Sequence, residues 1–334
     1  MSKITDPLVS VVTPVYNGEE FLAECIESVL SQSYTNWEYI IVNNHSADRT
    51  LEIAERYARA DGRIKVHSND TMLAIIANHN RAFQLISPVA KYCKVVSADD
   101  WLFPDCLAQM VTLAEAHPSV GIVGSYQLSG GGKKWRNWHV KWDQLPYPSA
   151  VVSGREVGRM HMFGGIEVFG TPTSLLYRAD LVRESGQFYP NDTAEADTSA
   201  CCKCLRWVDY GFVHQVLSYE RVHDVRMTTK SQSLNAYLSS NISDLLQYGD
   251  GYLGPEERVQ RLDSLLHQYY GFLAISALKF RGREFWTFHL RRLRELGYPL
   301  SPLSFGHAIL ALLLDLILNP KRTVERLAVG RQPA

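Results

Sequence analysis

Three short polar clusters in this chain of 334 residues follow apolar, β-branched segments. The clusters are Thr13-Pro14-Val15-Tyr16-Asn17, Asn43-Asn44 and Asp99-Asp100. The adjacent carboxylates of Asp99 and Asp100 repel each other unless a cation holds them, and carboxylate oxygens suit a hard divalent metal that bridges phosphates. From the dipeptide alone, a solvated turn in which Asp100 caps the next helix is the more frequent arrangement, because aspartate favours helix caps.

The segments that position these clusters have the pattern of a parallel α/β sheet. Apolar runs typical of buried strands occupy residues 8–15, 39–42, 64–66 and 92–96. Helical spacing of apolar residues occupies 21–30, 48–59 and 77–86. This alternation predicts an α/β fold with a mostly parallel central sheet flanked by helices. Ligands of such sheets bind beyond the carboxyl ends of the strands, where all three clusters fall.

The rest of the chain predicts further sheet elements and then a helical region. Residues 120–125 and 174–177 have strand character, whereas 128–152 reads as an insertion or hairpin. An acidic segment at 191–197 opens a predicted helix to Trp207. From about residue 230, helical periodicity dominates. We therefore predict a catalytic domain over 1–228 and a helical C-terminal region over 229–334, which would contact the acceptor, a second copy or a membrane surface.

The overall charge of the molecule carries no signature of nucleic-acid binding. The chain has 34 Lys plus Arg and 35 Asp plus Glu, a formal net charge of −1. Residues 230–334 hold 13 Lys or Arg and 9 Asp or Glu, which gives this region a formal charge of +4 and the remainder −5.

The first residues have no apolar signal core, and the six cysteines form no disulfide framework. A cytoplasmic protein with reduced thiols is expected.

The apolar run at 308–318 is shorter than the ~18–20 residues that cross a bilayer. Its leucines, with the downstream Lys321, Arg322 and Arg326, are compatible with a helix that lies on an anionic membrane. Packing against another helix is at least as frequent for an apolar stripe. The chain is therefore expected to work in the cytoplasm, with the inner face of the membrane as one location.

Four segments together resemble family 2 glycosyltransferases, which have the GT-A fold and invert the anomeric centre. The segments are VSVVTPVYNGEEFLAECIESVLSQSYTNWEYIIVNNHSADRT (9–50), KYCKVVSADDWLFPDCLAQMV (91–111), TSLLYRADLVRESGQFYPNDTAEADT (173–198) and GFVHQVLSYERVH (211–223). They occur in the family's order and cover about residues 8–225. The resemblance implies a nucleotide-sugar transferase of bacterial exopolysaccharide or cell-surface polysaccharide synthesis.

The first two segments imply the nucleotide contacts. Tyr16 is expected to stack on the base, with Thr13 and Val15 lining its pocket. Asn44 stands where relatives have an aspartate that accepts a hydrogen bond from uracil, and its amide oxygen can still accept one. His79 and Asn80 fall where relatives have an Arg-Asn pair that faces the nucleotide-sugar, so Asn80 is expected to contact it. UDP is the favoured nucleotide because most relatives use it.

The acidic motif implies the metal site. Asp99 is expected to contact the ribose or sugar, and Asp100 to bind Mn²⁺ or Mg²⁺ on the diphosphate. His223 is expected near the metal or the diphosphate, although a lone histidine after a strand is more often structural. Asn43 and Ser97 replace aspartates that relatives carry.

The acidic segment before Trp207 implies the catalytic base. A hydroxyl that attacks the anomeric carbon must lose a proton, and a carboxylate within reach accepts it. Asp197 is the first candidate and Glu195 the second. Asp197 can also cap the following helix.

The function expected from this resemblance is sugar transfer from a nucleotide-sugar, UDP-sugar favoured, to a saccharide or lipid-linked acceptor. The alternatives are a catalytically degenerate protein that binds nucleotide-sugar or a partner, and a sugar nucleotidyltransferase. The nucleotidyltransferase would need a Gly- and Lys/Arg-rich loop that residues 14–18 lack. A homo-oligomer is compatible with the sequence, as is membrane contact through the C-terminal helices.

Overall fold

A computed structural model describes residues 6–131, 139–141, 143–148, 150–164, 167, 169–184, 186–190, 195–222 and 234–319. The chain divides into two compact units, Met1–Arg226 and Met227–Ala334. The first unit contains a sheet flanked by helices, and the second is helical. The predicted α/β class and the helical C-terminal region are therefore both found.

The described part of the first unit contains ten strands in one sheet. They are β1 (Val9–Val15), β2 (Trp37–Asn43), β3 (Ile64–Ser68), β4 (Tyr92–Val95), β5 (Trp101–Leu102), β6 (Val120–Gly130), β7 (His139–Lys141), β8 (Val151–Val152), β9 (Leu175–Arg178) and β10 (Asp209–Arg221). The sheet order is β3-β2-β1-β4-β9-β6-β10-β5, with β7 paired to β6 and β8 to β10.

Helices connect these strands and form the second unit. Those of the first unit are α1 (Leu22–Leu30), α2 (Thr50–Ala60), α3 (Ile75–Phe83), α4 (Cys106–Ala116), α5 (Gly154–Met162), α6 (Ala179–Arg183) and α7 (Ala196–Cys204). Those of the second are α8 (Tyr237–Tyr248), α9 (Pro255–Leu278), α10 (Arg283–Glu295) and α11 (Pro302–Leu318). Short 3₁₀ turns lie at Pro172–Ser174 and Gly249–Gly251.

The direction of β9 is the main feature that the alternating pattern does not predict. Strands β1 to β4 are parallel, and β6 runs parallel to β10. Between these groups, β9 is antiparallel to both β4 and β6. The start of β9 therefore lies at the edge where β4 and β6 end, which brings the turn Pro172–Ser174 to the carboxyl edge of the sheet. The 128–152 segment contains a hairpin, because β7 pairs antiparallel with β6.

The central strands form where the sequence is apolar on both faces. All seven residues of β1 and all seven of β2 are buried, as expected for parallel strands covered on both sides. Helix α1 buries Leu22, Cys25, Ile26 and Val29 in the same core. Asparagine is a favoured helix-capping residue, but Asn17 does not cap α1, which begins after Phe21 without a side-chain cap. The side chain of Asn17 instead bonds to the next loop.

A buried histidine forms two hydrogen bonds and several aromatic contacts in the described part of the second unit. His289 of α10 lies among aromatic rings, with Phe285 4.2 Å from it between ring centroids. Its Nδ1 lies 2.6 Å from the Tyr269 hydroxyl, and its Nε2 lies 2.7 Å from the carbonyl oxygen of Leu234. A neutral ring with its proton on Nε2 satisfies both bonds. Burial lowers the pKa of His289 to about 4.

The low pKa of His289 predicts that acid destabilises the second unit. Between pH 6.5 and 4 the unfolded chain binds a proton at this position that the folded chain resists, so stability falls as pH falls through this window. The His289→Gln variant lacks this titration. We expect the Tm of the wild-type chain to exceed that of the variant at pH 7.5 and the gap to narrow by pH 4.5. Thermal melts at a series of pH values measure it, and a constant gap would contradict the assignment.

Candidate active site

The carboxyl edge of β1, β2 and β4 gathers most of the predicted nucleotide residues. Tyr16, directly after β1, is 50% exposed, so its ring is available to a ligand. Val15 is almost fully buried. Thr13 is fully buried, and its hydroxyl donates to the carbonyl oxygen of Val96 at 2.8 Å and lies 2.8 Å from the Tyr39 hydroxyl. Thr13 thus joins β1 to the end of β4 beneath the edge, and Tyr16 presents the exposed ring.

Hydrogen bonds between the loop after β1 and the loop after β2 hold the backbone next to Tyr16 in place. The backbone N–H of Asn17 donates to Ser46 Oγ at 2.9 Å, and Asn17 Oδ1 accepts from the N–H of Ala47 at 2.9 Å. The N–H of Gly18 donates to Thr50 Oγ1 at 2.8 Å. Asn17 has φ 49°, a left-handed conformation that asparagine tolerates better than most residues. These bonds hold the loop after β1 against the loop after β2.

The side chain of Asn44 holds the segment that leads into α3. Its Nδ2 donates to the carbonyl oxygen of Leu73 at 2.9 Å, and its Oδ1 accepts from the N–H of Leu73 at 2.9 Å. Asn69 Nδ2 donates to the same Oδ1 at 2.9 Å. A carboxylate at this position could not donate to the carbonyl oxygen of Leu73. This hydrogen bond therefore explains why position 44 holds an asparagine and not an aspartate. The predicted bond from Asn44 to a base stays a prediction, and it would compete with two donors already on Oδ1.

The two acids after β4 differ in their surroundings. Asp100 is 2% exposed, and its Oδ2 accepts from the Thr173 hydroxyl at 2.7 Å. Its Oδ1 accepts from the backbone N–H of Arg221 at 3.1 Å. Asp99 is half-buried beside it. Asp105, rather than Asp100, occupies the N-cap position of α4. The turn-and-cap alternative for Asp100 is therefore not the arrangement found.

A buried lysine positions the threonine that orients Asp100. Lys94 of β4 is fully buried, and its Nζ donates to the carbonyl oxygens of Thr173 at 2.7 Å and Leu175 at 3.0 Å. The N–H of Ser97 donates to Thr173 Oγ1 at 3.1 Å. Burial lowers the pKa of Lys94. Lys94 and Thr173 did not emerge from the sequence as site residues, although a lysine inside the apolar run YCKVV was a signal.

Arg221, at the end of β10, closes one side of this acidic pair. Its guanidinium pairs with Glu24 of α1, and its Nε donates to the carbonyl oxygen of Asp99 at 3.1 Å. The guanidinium carbon lies 4.4 Å from the ring centroid of Phe21 and 5.1 Å from that of Trp101. Such cation–π contacts hold an arginine in place. Sequence reasoning missed Arg221 because its partners are about 120 to 200 residues away in the chain.

The donor set at this edge fits a divalent cation held jointly with phosphates. Within the described ranges, no three His, Cys, Asp or Glu side chains form a metal-binding group. Magnesium in phosphate-transfer sites is held by one or two carboxylates together with substrate phosphates and water. The buried and oriented carboxylate of Asp100, with Asp99 next to it, matches that donor set. His223, the other predicted ligand, lies outside the described residues.

The candidate base lies in the first turn of α7. Asp197 is 7% exposed, and its Oδ1 accepts from the N–H of Thr198 at 2.9 Å. Burial and then the charge of Asp197 raise the pKa of Tyr189, and burial followed by neighbouring groups that include Asp197 raises that of Tyr177. The charge of Asp197 thus disfavours ionisation of both buried phenols. Glu195 occupies the N-cap position of α7 and is half-buried.

The side chain of Asn80 forms hydrogen bonds with the backbone of Tyr189. It is 7% exposed, its Nδ2 donates to the carbonyl oxygen of Tyr189 at 3.0 Å, and its Oδ1 accepts from the N–H of Tyr189 at 3.0 Å. The structure thus brings Tyr16, Asn44, Asp99 and Asp100 to one edge of the sheet. It ties Asn80 to the segment before Asp197.

The family model that matches this chain is that of Glycosyl transferase family 2, over residues 10–186. This match covers more than half of the chain and contains both the loops after β1 and β2 and the acidic pair after β4. The chain belongs to glycosyltransferase family 2. The resemblance to this family is confirmed, and the second of the four segments lies wholly within the matched residues, as does the first apart from Val9.

Two curated relatives each match about a third of the chain. A putative glycosyltransferase EpsE of Bacillus subtilis is 41% identical over 123 residues, which cover 36% of this chain and 44% of EpsE. A putative teichuronic acid biosynthesis glycosyltransferase, TuaG, of the same organism is 35% identical over 94 residues, 28% of this chain and 36% of TuaG. The matched region spans less than half the length of these curated relatives.

Solved structures share the fold over nearly the whole chain. Staphylococcus aureus TarS 1–349 in complex with UDP-GlcNAc has a TM-score of 0.64 at 17% identity, covering 94% of this chain and 87% of that one. The mannosyltransferase PcManGT of Pyrobaculum calidifontis, in complex with GDP-Man and Mn²⁺, has a TM-score of 0.56 at 16% identity, covering 98% and 80%. These likenesses support the predicted GT-A-type fold.

Proposed function

We propose that this chain is an inverting, metal-dependent glycosyltransferase that assembles bacterial surface or extracellular polysaccharide. It would move a sugar from a nucleotide-sugar to a hydroxyl of a saccharide or lipid-linked acceptor. The observation that carries the proposal is the buried carboxylate of Asp100, which two donors hold at the carboxyl edge of the sheet. Membership of glycosyltransferase family 2 and relatives named for teichuronic acid synthesis support it.

The proposed donor is a UDP-sugar. Tyr16 would stack on the base, because its half-exposed ring lies at the end of β1 on a loop that is already fixed. The TarS complexes with UDP and UDP-GlcNAc favour uridine over guanosine, which the PcManGT complex represents. Asn44 can reach a base only if one of its two donors gives way.

The proposed cation site is Asp100 with Asp99, and His223 is a further candidate ligand. A divalent cation bound there would neutralise the charge that develops on the departing diphosphate. Thr173 and the N–H of Arg221 orient the Asp100 carboxylate, and Lys94 holds Thr173. These residues fix the direction of the carboxylate before a ligand arrives, which is the condition for tight metal binding.

The proposed base is Asp197, with Glu195 as the second candidate. Asp197 accepts the proton of the acceptor hydroxyl as that oxygen bonds to the anomeric carbon. A single displacement of this kind inverts the anomeric configuration. The buried position of Asp197 limits the water around it, whereas Glu195 is more exposed.

Release of nucleotide from a panel of donors tests this function. The purified chain is incubated with UDP-GlcNAc, UDP-glucose, UDP-galactose or GDP-mannose, with Mn²⁺ or with EDTA, and free nucleoside diphosphate is measured. We expect metal-dependent release from at least one UDP-sugar. A chain that binds UDP but releases none from any donor would be the degenerate binding protein. Release of a sugar phosphate and a nucleoside monophosphate would indicate a different bond cleavage and overturn the proposal.

We also propose that helix α11 contacts the membrane. None of its residues is buried, and its large apolar side chains are between 40% and 74% exposed at Leu303, Leu310, Leu313, Leu314, Ile317 and Leu318. Among the described residues, no helix is long and apolar enough to cross a bilayer. An interfacial helix that lies flat on the lipid fits this combination.

The charge around α11 favours an anionic lipid surface as its partner. Residues 279–295, which precede the helix, contain six Lys or Arg and two Asp or Glu. Lys321, Arg322 and Arg326 follow it in the sequence. In a symmetric dimer, these basic segments would repel their own copies, whereas anionic headgroups attract them. A membrane-bound enzyme would have a lipid-linked acceptor within reach on the inner face of the membrane.

Vesicle binding measures this contact. We expect the chain to sediment with phosphatidylglycerol-containing vesicles, and binding to fall about tenfold or more in the Leu310→Glu/Ile317→Glu variant, because two apolar anchors are lost. Val89→Glu, which changes an exposed apolar residue of the first unit, is the matched control and should bind normally. Binding unaffected by the double substitution, or a dimer in light scattering that the substitution dissociates, would refute the membrane assignment.

A further inference from the structure

The side-chain oxygen of Asn44 is fully engaged within the protein. It accepts from the N–H of Leu73 and from Asn69 Nδ2, each at 2.9 Å. An amide oxygen has two lone pairs, so these two hydrogen bonds occupy both of them. Asn44 is also only 2% exposed, which leaves its side chain almost no surface that a ligand could reach. A base at this edge therefore meets no available acceptor on Asn44.

The donor side of the same amide is engaged as well. Asn44 Nδ2 donates to the carbonyl oxygen of Leu73 at 2.9 Å. The side chain of Asn44 thus pairs with both backbone groups of Leu73, in the way that one strand residue pairs with another. Turning this amide towards a base would leave the buried N–H and carbonyl of Leu73 without these partners, which is unfavourable. The pairing therefore favours an Asn44 side chain that stays in place when a nucleotide binds.

Asn43, the other asparagine after β2, is buried and engaged in the same manner. Its Nδ2 donates to Ser68 Oγ at 3.0 Å, and its Oδ1 accepts from the N–H of Ser46 at 3.2 Å. Its carbonyl oxygen accepts from the N–H of Asn69 at 3.0 Å. These bonds join the end of β2 to the end of β3 and to the following loop. Both asparagines therefore build the edge of the sheet.

The exposed ring of Tyr16 belongs to the same edge. The backbone N–H of Asn44 donates at 2.7 Å to the carbonyl oxygen of Val15, the residue before Tyr16. The segment that Asn44 holds carries two exposed apolar side chains, Met72 and Ile75. The edge thus presents an aromatic ring and apolar side chains, whereas its amides are already paired. Stacking on an aromatic ring tolerates different bases, because every base has a π face.

We propose that Asn44 is a structural residue of this edge and that the edge binds uridine and cytidine diphosphates alike. Uracil presents an N–H at N3 and a carbonyl at C4, whereas cytosine presents a lone pair and an amino group. Only polar groups that face these atoms tell the two bases apart, and the amides of Asn43 and Asn44 are engaged elsewhere. This inference rests on the proposed function and extends its donor from UDP-sugars to CDP-sugars. It replaces the hydrogen bond from uracil to Asn44 that the family resemblance implies.

The ratio of the Kd values for CDP and UDP tests this inference on the wild-type chain. Calorimetric titrations with each nucleotide at pH 7.5 in the presence of Mn²⁺ measure both values. The ribose and diphosphate are the same in the two ligands, so the ratio reports on the base alone. We expect the two Kd values to agree within about threefold. A site that accepts a hydrogen bond from N3 of uracil would favour UDP by about tenfold or more, and any preference for UDP above threefold would overturn the inference.

The Asn44→Ala variant separates a structural role from recognition of the base. It removes the pairing with Leu73, so we expect the Kd values for UDP and CDP to change by the same factor and their ratio to stay within about twofold of the wild-type ratio. A rise in the Kd for UDP alone would show that Asn44 recognises uracil and would overturn the inference. Asn36→Ala is the matched control, because Asn36 is an exposed asparagine directly before β2, at the other end of that strand, and should leave both Kd values unchanged. The wild-type ratio keeps the test decisive if Asn44→Ala folds poorly.

The outcomes separate this inference from the proposed function. If the wild-type chain binds neither UDP nor CDP in the presence of Mn²⁺, the proposed function fails. If it binds UDP and releases UDP from a UDP-sugar, but binds CDP more than threefold more weakly, the proposed function stands and only the structural role of Asn44 in base selection fails.

Discussion

Replacing Asp197 by asparagine is expected to lower kcat for sugar transfer by about 10²–10⁴-fold. The amide has nearly the same shape as the carboxylate but cannot accept the proton of the attacking hydroxyl. Because Asp197 is buried in the first turn of α7, no water easily takes its place. Nucleotide release measured at saturating donor gives kcat, and calorimetry with UDP should give an unchanged Kd.

Glu195→Gln is the matched control for this prediction. Glu195 occupies the N-cap position of α7, two residues before Asp197, and is more exposed. We expect its loss to change kcat less than fivefold. The reverse pattern, with Glu195→Gln inactive and Asp197→Asn active, would assign the base to Glu195. Full activity in both variants would remove the general-base mechanism altogether.

Asp100→Asn is expected to abolish the response of activity to Mn²⁺ and to lower kcat/KM by about 10³-fold, because a cation contributes several kcal/mol of charge stabilisation. The amide keeps the hydrogen bond from Thr173 but loses the negative charge that attracts a cation. Titration of activity with Mn²⁺ measures the effect. Calorimetric titration of Mn²⁺ into the UDP-bound chain provides a readout that does not depend on turnover.

Thr173 provides a graded test of the same site. Thr173→Val removes the hydroxyl that donates to Asp100 at 2.7 Å and retains the shape of the side chain. Loss of an orienting hydrogen bond costs about 10–100-fold in metal affinity. Thr173→Ser keeps the hydroxyl and should recover most of the affinity. Equal metal affinity in Asp100→Asn and the wild type would rule out Asp100 as a ligand.

Much of the sheet was predictable because its strands carry their own signal. The runs that became β1, β2 and β4 are apolar on both faces, and burial on both faces produces that composition. The direction of β9 was not predictable from its own residues. The composition of a four-residue, mostly apolar strand does not indicate whether it runs parallel or antiparallel to its neighbours. The pairing of β9 with β4 and β6 determines its orientation.

The candidate site was predictable only where the residues carry chemistry in adjacent positions. Asp99 and Asp100 are recognisable as an acidic dipeptide. Thr173 is 73 residues from Asp100, and its local sequence does not mark it as a site residue. Arg221 is missed for the same reason. Asn44 and Asn80 were noticed through the family pattern, but their pairing with the backbones of Leu73 and Tyr189 depends on the fold. The local sequence identifies candidate site residues, whereas contacts between distant parts of the chain determine the role of each residue.

The bonds between the loops after β1 and β2 affect how a donor binds. Asn17, Gly18, Ser46 and Thr50 hold the backbone directly after Tyr16. Ordering a mobile loop costs about 1–2 kcal/mol per residue in lost backbone entropy. In this loop the backbone entropy is lost when the protein folds and not when the nucleotide binds. More of the interaction energy of the nucleotide therefore contributes to its affinity. Calorimetry should therefore record a small entropic penalty when UDP associates with this edge.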